Sequence, residues 1–204
     1  MKWLLLNLFL FHIISCSPRG DGGKSPRRIA KEALVLYYIA DNRTGALDNK
    51  VFMEPDEALA AGYQMVAEPT KHIDADTIAT LAQGGKKVIL VGYSNGVTTG
   101  FREALEDCAI ADNLTGVLML KGRTNAALTL GGITCAGRSD FAGLYYYNPK
   151  DVLGYFEGGE EVFRKTIENR FGSQNSSHMT GDDGHFEKVP YERILDELRR
   201  LLAK

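Results

Sequence analysis

The stretch Val88-Ile89-Leu90-Val91-Gly92-Tyr93-Ser94-Asn95-Gly96-Val97 decides the fold. An apolar run ends at Gly92, and from residue 96 to 107 the spacing turns helical, so the segment reads as strand, tight turn and helix. Gly92-Tyr93-Ser94-Asn95-Gly96 is a G-x-S-x-G pattern, in the strand-turn-helix setting that it needs to form a nucleophile elbow. The spacing has a chemical reason. A serine on a strained turn projects its hydroxyl above the sheet edge, while flanking glycines remove the Cβ atoms that would meet neighbouring backbone. The following helix aims its first N–H groups at the same point, where negative charge developing on a substrate oxygen is stabilised. The backbone N–H of Asn95 is the first donor expected there. A Gly-rich chain can also produce the pattern by accident, in which case the turn serves packing alone.

Outward from the elbow the chain alternates two kinds of segment. Short continuous apolar runs at 33–40, 87–93, 116–120 and 141–147, with a weaker one at 63–67, read as strands buried on both faces. Helical spacing occupies 55–61, 74–83, 96–107, 160–170 and 191–202. In the last of these Ile194, Leu195, Leu198, Leu201 and Leu202 form one apolar stripe on a charged helix. The alternation predicts an α/β fold, a three-layer parallel sheet of about five to six strands with helices on both faces. It fits one domain over 31–204, without internal repeats.

The 204 residues carry 24 Lys+Arg against 26 Asp+Glu and are 44% hydrophobic, so a dedicated nucleic-acid binder, with its basic excess, is excluded. Residues 1–15 stand apart: Lys2 precedes an apolar run too short for a permanent membrane span, which reads as an export signal. Two processing patterns overlap at its end. Ile13-Ile14-Ser15-Cys16 has the form of a lipobox, with Cys16 as the lipidated N-terminus, whereas Ser15-Cys16-Ser17 offers the small residues of a soluble-secretion site. The chain is therefore expected outside the cytoplasm, as a membrane-anchored lipoprotein or a soluble secreted protein, with any membrane contact made through that N-terminal lipid. Residues 16–30, polar and Gly-containing, read as a tether. Cys108 and Cys135 then remain as a pair in an oxidising compartment, able to form a disulfide or to sit as two small buried hydrophobes. Neither thiol has a paired Cys-x-x-Cys or a His at ligand spacing, so no metal site is expected.

A serine hydroxyl is a weak nucleophile until a base takes its proton, and an acid must orient that base. Of the four histidines, His12 lies in the export signal and His72 precedes the elbow. His185, in the turn-rich Gly181-Asp182-Asp183-Gly184-His185-Phe186-Glu187 before the last helix, is preferred over His178, which also reads as loop. For the acid, the run 141–147 ends in Asn148-Pro149-Lys150-Asp151. A carboxylate just beyond the C-terminal end of a parallel strand faces the ligand side of such a sheet, which favours Asp151. Asp140 precedes the strand, and Asp182 and Asp183 read as turn formers.

With these residues in place the chain resembles the α/β-hydrolase superfamily, in particular its lipases and esterases, in a minimal form covering about 33–204. The resemblance rests on Gly92 to Gly96, on the Asn148–Asp151 strand end and on Gly184-His185-Phe186. It implies Ser94 as nucleophile, His185 as base, Asp151 as the orienting acid and Asn95 as an oxyanion donor. The second oxyanion donor would come from the loop at 40–43, where the N–H of Ala40 or Asp41 can serve, although no His-Gly motif stands there. The implied activity is cleavage of carboxylic esters, such as lipid or surface-polymer esters, with no cofactor. The alternative is a catalytically silent hydrolase-fold lipoprotein that binds a partner.

Overall fold

Six strands join edge to edge in one sheet, and every neighbouring pair is parallel. They are β1 (Leu34–Ile39), β2 (Gln64–Glu68), β3 (Lys87–Tyr93), β4 (Gly116–Leu120), β5 (Ala142–Tyr147) and β6 (Ser176–Thr180), in the order β2-β1-β3-β4-β5-β6. The computed structural model describes residues 28–39, 51–68, 73–94, 96–97, 101–122, 135, 141–151 and 159–204. The segments expected to be an export signal, at 1–15, and a tether, at 16–30, fall outside the described residues up to residue 27, with Cys16 among them.

The three layers follow from the side-chain period of a strand. In β1 the odd positions Val35, Tyr37 and Ile39 join one apolar cluster, and the even positions Leu34, Leu36 and Tyr38 join another. β5 divides in the same way, with Tyr145 and Tyr147 on one face and Leu144 and Tyr146 on the other. On the first face pack α2 (Ala75–Gln83), α3 (Phe101–Glu106), α4 (Cys108–Ala111) and α5 (Gly159–Phe171); on the second pack α1 (Pro55–Ala60) and α6 (Tyr191–Leu201). A strand covered on both faces has no polar face to show, which is why these strands read as unbroken apolar runs. Ile194, Leu195 and Leu198 of α6 are fully buried, each contributing about 1.5–3 kcal/mol of apolar burial.

Two sequence expectations are corrected. Residues 176–180 form β6, an edge strand, where the sequence reads as loop. Ser176-Ser177-His178-Met179-Thr180 has one hydrogen-bonded neighbour and no buried residue, so no hydrophobic run marks it. The helix expected over 96–107 is also divided. Residues 96–97 form a π-type turn, α3 ends at Glu106, and the Asp107 carboxylate accepts the Ala109 N–H at 2.8 Å, capping a second short helix, α4. Cys108 at the start of α4 is joined by a disulfide to Cys135, with Cα atoms 4.8 Å apart.

Candidate active site

The sheet reverses its direction of growth between β1 and β3: β2 lies outside β1, whereas β4, β5 and β6 add successively beyond β3. A crevice opens at the C-terminal ends of the strands where such a reversal occurs. Ser94 stands at that point, directly after β3.

Its backbone has φ +52°, in the left-handed region that costs a residue bearing a Cβ about 1–2 kcal/mol. Two hydrogen bonds hold the turn. The Ser94 N–H donates to the Leu120 carbonyl of β4 at 3.0 Å, and the Ser94 carbonyl accepts the Val97 N–H at 3.2 Å. Gly92 is required by close approach, since a Cβ there would lie 2.6 Å from Phe101 Cε1 and 3.1 Å from the Gly96 carbonyl carbon.

Asp151 and His185 reach the same place from the next strands. The Asp151 N–H donates to the Asn148 carbonyl at 3.0 Å, closing a turn just beyond β5. His185 stands in the loop between β6 and α6. Its Nδ1 lies 2.6 Å from Asp151 Oδ2 and its Nε2 lies 3.1 Å from Ser94 Oγ. The Asp151 side chain is 3% exposed and that of His185 is 7%, so the contact is made in a largely dry setting. A carboxylate only accepts, so it selects the imidazole tautomer with the proton on Nδ1 and leaves the Nε2 lone pair facing the serine hydroxyl. Burial raises the Tyr145 hydroxyl well above its ordinary pKa, and the Asp151 charge adds to the effect, so this tyrosine stays neutral beside the carboxylate.

The alternatives fall elsewhere. His178 lies on β6, exposed, in register with Tyr145. Asp182 is exposed, and Asp183 is engaged by the Lys121 ammonium and the Tyr146 hydroxyl. Tyr146 is pushed above its ordinary pKa by burial and then by that carboxylate. Asn95, Ala40 and Asp41, named as oxyanion donors, and His12, His72 and Asp140 lie outside the described residues. Among the described residues, no group of three His, Cys, Asp or Glu is placed to share a metal ion, and no helix is long and apolar enough to cross a membrane.

Three site residues escape the sequence reading. Tyr93 donates from its hydroxyl to the His185 carbonyl at 3.0 Å, Asn148 donates from Nδ2 to the Asp183 carbonyl at 3.0 Å, and Lys121 binds the same loop from the end of β4. The signal for Lys121 was available: a charged residue directly after the apolar run 116–120 sits where Asp151 sits after 141–147.

No protein-family model matches the chain, and no curated protein matches it in sequence. Among solved structures it is similar to a YdeN-like hydrolase from Pectobacterium atrosepticum, at 15% identity and a TM-score of 0.49, covering 84% of this chain and 93% of that one. It is similar to Est1E of Butyrivibrio proteoclasticus, solved with ferulic acid bound, at 10% identity and TM-score 0.47, covering 87% and 91%. It is also similar to the lipase BlEst2 of Bacillus licheniformis, at 18% identity and TM-score 0.45, covering 91% and 97%. Each likeness falls below a TM-score of 0.5. The architecture is a three-layer parallel α/β sheet with a strained serine turn at its switch point.

Proposed function

We propose that the chain is an α/β-hydrolase that cleaves carboxylic esters through Ser94, His185 and Asp151. One observation carries this reading: His185 lies 3.1 Å from Ser94 Oγ through Nε2 and 2.6 Å from Asp151 Oδ2 through Nδ1. These are the reach and orientation that proton transfer from a nucleophilic hydroxyl requires. Ser94 Oγ attacks the ester carbonyl carbon as its proton passes to His185 Nε2. The bond to the leaving oxygen then breaks, and His185 returns the proton to the departing alcohol. Water attacks the acyl-serine with His185 again taking a proton, the carboxylic acid leaves, and the proton returns to Ser94 Oγ. Asp151 stays ionised and holds the imidazole in the tautomer that accepts from the serine. The N–H of Asn95, with that of Ala40 or Asp41, is proposed to receive the developing oxyanion. Phe186, 71% exposed and edge-on to the His185 ring at 5.0 Å, offers apolar surface beside the base, which supports an ester with an apolar group, such as a lipid or surface-polymer ester.

The N-terminal pattern supports export, and the Cys108–Cys135 disulfide agrees with an oxidising compartment. Cys16 as a lipidated N-terminus is the proposed anchor. The enzyme reading is tested by incubating the chain without residues 1–15 with a fluorophosphonate probe and with short p-nitrophenyl esters. Labelling and turnover are expected, both abolished by Ser94→Ala. A wild-type chain that does neither, or labelling that survives Ser94→Ala, refutes it and leaves a silent binding protein.

A further inference from the structure

We propose that Lys121, together with Asp183, is the positioning device of the base: a buried ammonium that fixes where His185 stands relative to Ser94. The inference rests on the esterase reading above and deepens it.

Lys121 directly follows β4 and its side chain is fully buried. A lysine is almost never so placed unless its charge is paired and its donors are used. Two carbonyls and one carboxylate surround the Lys121 ammonium. Nζ donates to the Gly184 carbonyl at 2.5 Å and to the Glu187 carbonyl at 2.8 Å, and it forms an ion pair with the Asp183 carboxylate. Gly184 precedes His185 and Glu187 follows it by two residues, so one cation holds both ends of the turn that carries the imidazole. The Lys121 backbone also has φ +48°, a strained conformation for a residue with a Cβ.

The rest of the loop is held in the same manner. Tyr93 donates to the His185 carbonyl, Asn148 to the Asp183 carbonyl, and Tyr146 to the Asp183 carboxylate. Within the loop, the Gly184 N–H donates to Glu187 Oε2 at 2.7 Å, and the Glu187 N–H to the Gly184 carbonyl at 3.1 Å. Four carbonyls, those of 183, 184, 185 and 187, thus accept hydrogen bonds from side chains on or just beyond β3, β4 and β5. Two of those donors sit close to the other members of the site: Tyr93 is adjacent to Ser94, and Asn148 accepts the turn N–H of Asp151. The loop therefore takes its register from the strands that carry the nucleophile and the acid. A buried ion pair is a poor device for stability alone, since an apolar pair of equal volume often does as well. Its use here is geometric, because apolar side chains cannot hold carbonyls at fixed positions.

The test compares wild type, Lys121→Met and Tyr146→Phe, each without residues 1–15. The readouts are kcat and KM on p-nitrophenyl butyrate, with folding checked by circular dichroism and the His185 Nδ1 proton followed by NMR. Lys121→Met is expected to lower kcat about 100-fold, the loss that a misplacement of about 1 Å brings, with KM within about twofold of wild type. Its downfield Nδ1 proton signal should disappear or move. Tyr146→Phe, which removes one hydroxyl from the Asp183 carboxylate, is expected to lower kcat about three- to tenfold with the same unchanged KM. A folded Lys121→Met with wild-type kcat, or one altered only in KM, overturns the proposal. If Lys121→Met does not fold, Tyr146→Phe decides, and an unchanged kcat in that variant overturns the proposal. A wild-type chain that neither turns over ester nor takes the fluorophosphonate refutes the esterase reading and this inference together, so the two failures are distinguished by the wild type itself.

Discussion

Replacing Asp151 by Asn exchanges one carboxylate oxygen for an NH2 group and should nearly abolish turnover. The carboxylate meets His185 Nδ1 at 2.6 Å, with both side chains almost fully buried, so water cannot substitute for it. The amide introduced by Asp151→Asn can donate to Nδ1, which moves the imidazole proton to Nε2 and turns it toward Ser94 Oγ. The serine then faces a donor where it needs an acceptor. A wrong tautomer of this kind costs about 10,000-fold in kcat. At about 1.4 kcal/mol per decade, that is about 5 kcal/mol of lost transition-state stabilisation. Stability should fall far less, by about 1 kcal/mol for one altered hydrogen bond, so the variant remains folded. The assay is steady-state hydrolysis of p-nitrophenyl butyrate by wild type, Asp151→Asn and Asp183→Asn, with thermal unfolding of each. Asp183→Asn disturbs the loop but keeps the tautomer, and should lose no more than about 100-fold. Asp151→Asn within tenfold of wild type, or Asp183→Asn falling as far as Asp151→Asn, refutes the reasoning.

Gly92→Ala places a methyl group 2.6 Å from Phe101 Cε1, and Phe101 is itself buried; overpacking of this kind should cost about 1–3 kcal/mol and slow fluorophosphonate labelling, read from thermal unfolding and labelling rate. Cys108→Ser with Cys135→Ser opens a link spanning 27 residues, for which chain entropy predicts a loss of about 3–4 kcal/mol in urea unfolding. Tyr145 and Tyr146 both have folded pKa values raised above the ordinary value of 10.0, chiefly by burial. Their contribution to stability is present in full below the unfolded pKa and is lost as pH rises beyond about 10, because the unfolded chain then releases protons that the folded chain retains. Spectrophotometric titration should therefore show tyrosines that ionise only together with alkaline unfolding, and their free ionisation in folded protein would contradict the burial argument.

Much of the sheet was legible from residues alone. The runs 87–93 and 116–120 coincide with β3 and β4, and 33–40, 63–67 and 141–147 differ from β1, β2 and β5 by a residue at one end or both. β1, β3, β4 and β5 are readable because strands covered on both faces are apolar along almost their whole length, whereas β2, an edge strand partly buried over 64–67, leaves only the weaker run. β6 was not readable, since this edge strand of Ser, Ser, His, Met and Thr has no fully buried residue and its pairing is visible only once β5 lies beside it. Asp107 was read as the end of one helix, yet it caps the next, a choice between two uses of the same carboxylate that local sequence leaves open.

The sequence by itself determined the strand-turn-helix at Ser94, because a glycine, a serine and a glycine at fixed offsets constrain backbone that is contiguous. It also marked Asp151 and His185 as residues at the ligand-facing edge of the sheet. Only the tertiary structure decided which groups meet. Ser94, Asp151 and His185 come within hydrogen-bond distance because β3, β5 and β6 end at one edge, and Asp183, nearer to His185 in the chain, is turned instead to Lys121 and Tyr146. Lys121 carries the same lesson. Whether a lysine after a strand is solvated or buried depends on two carbonyls and one carboxylate more than sixty residues away, brought to it by the parallel order of the strands.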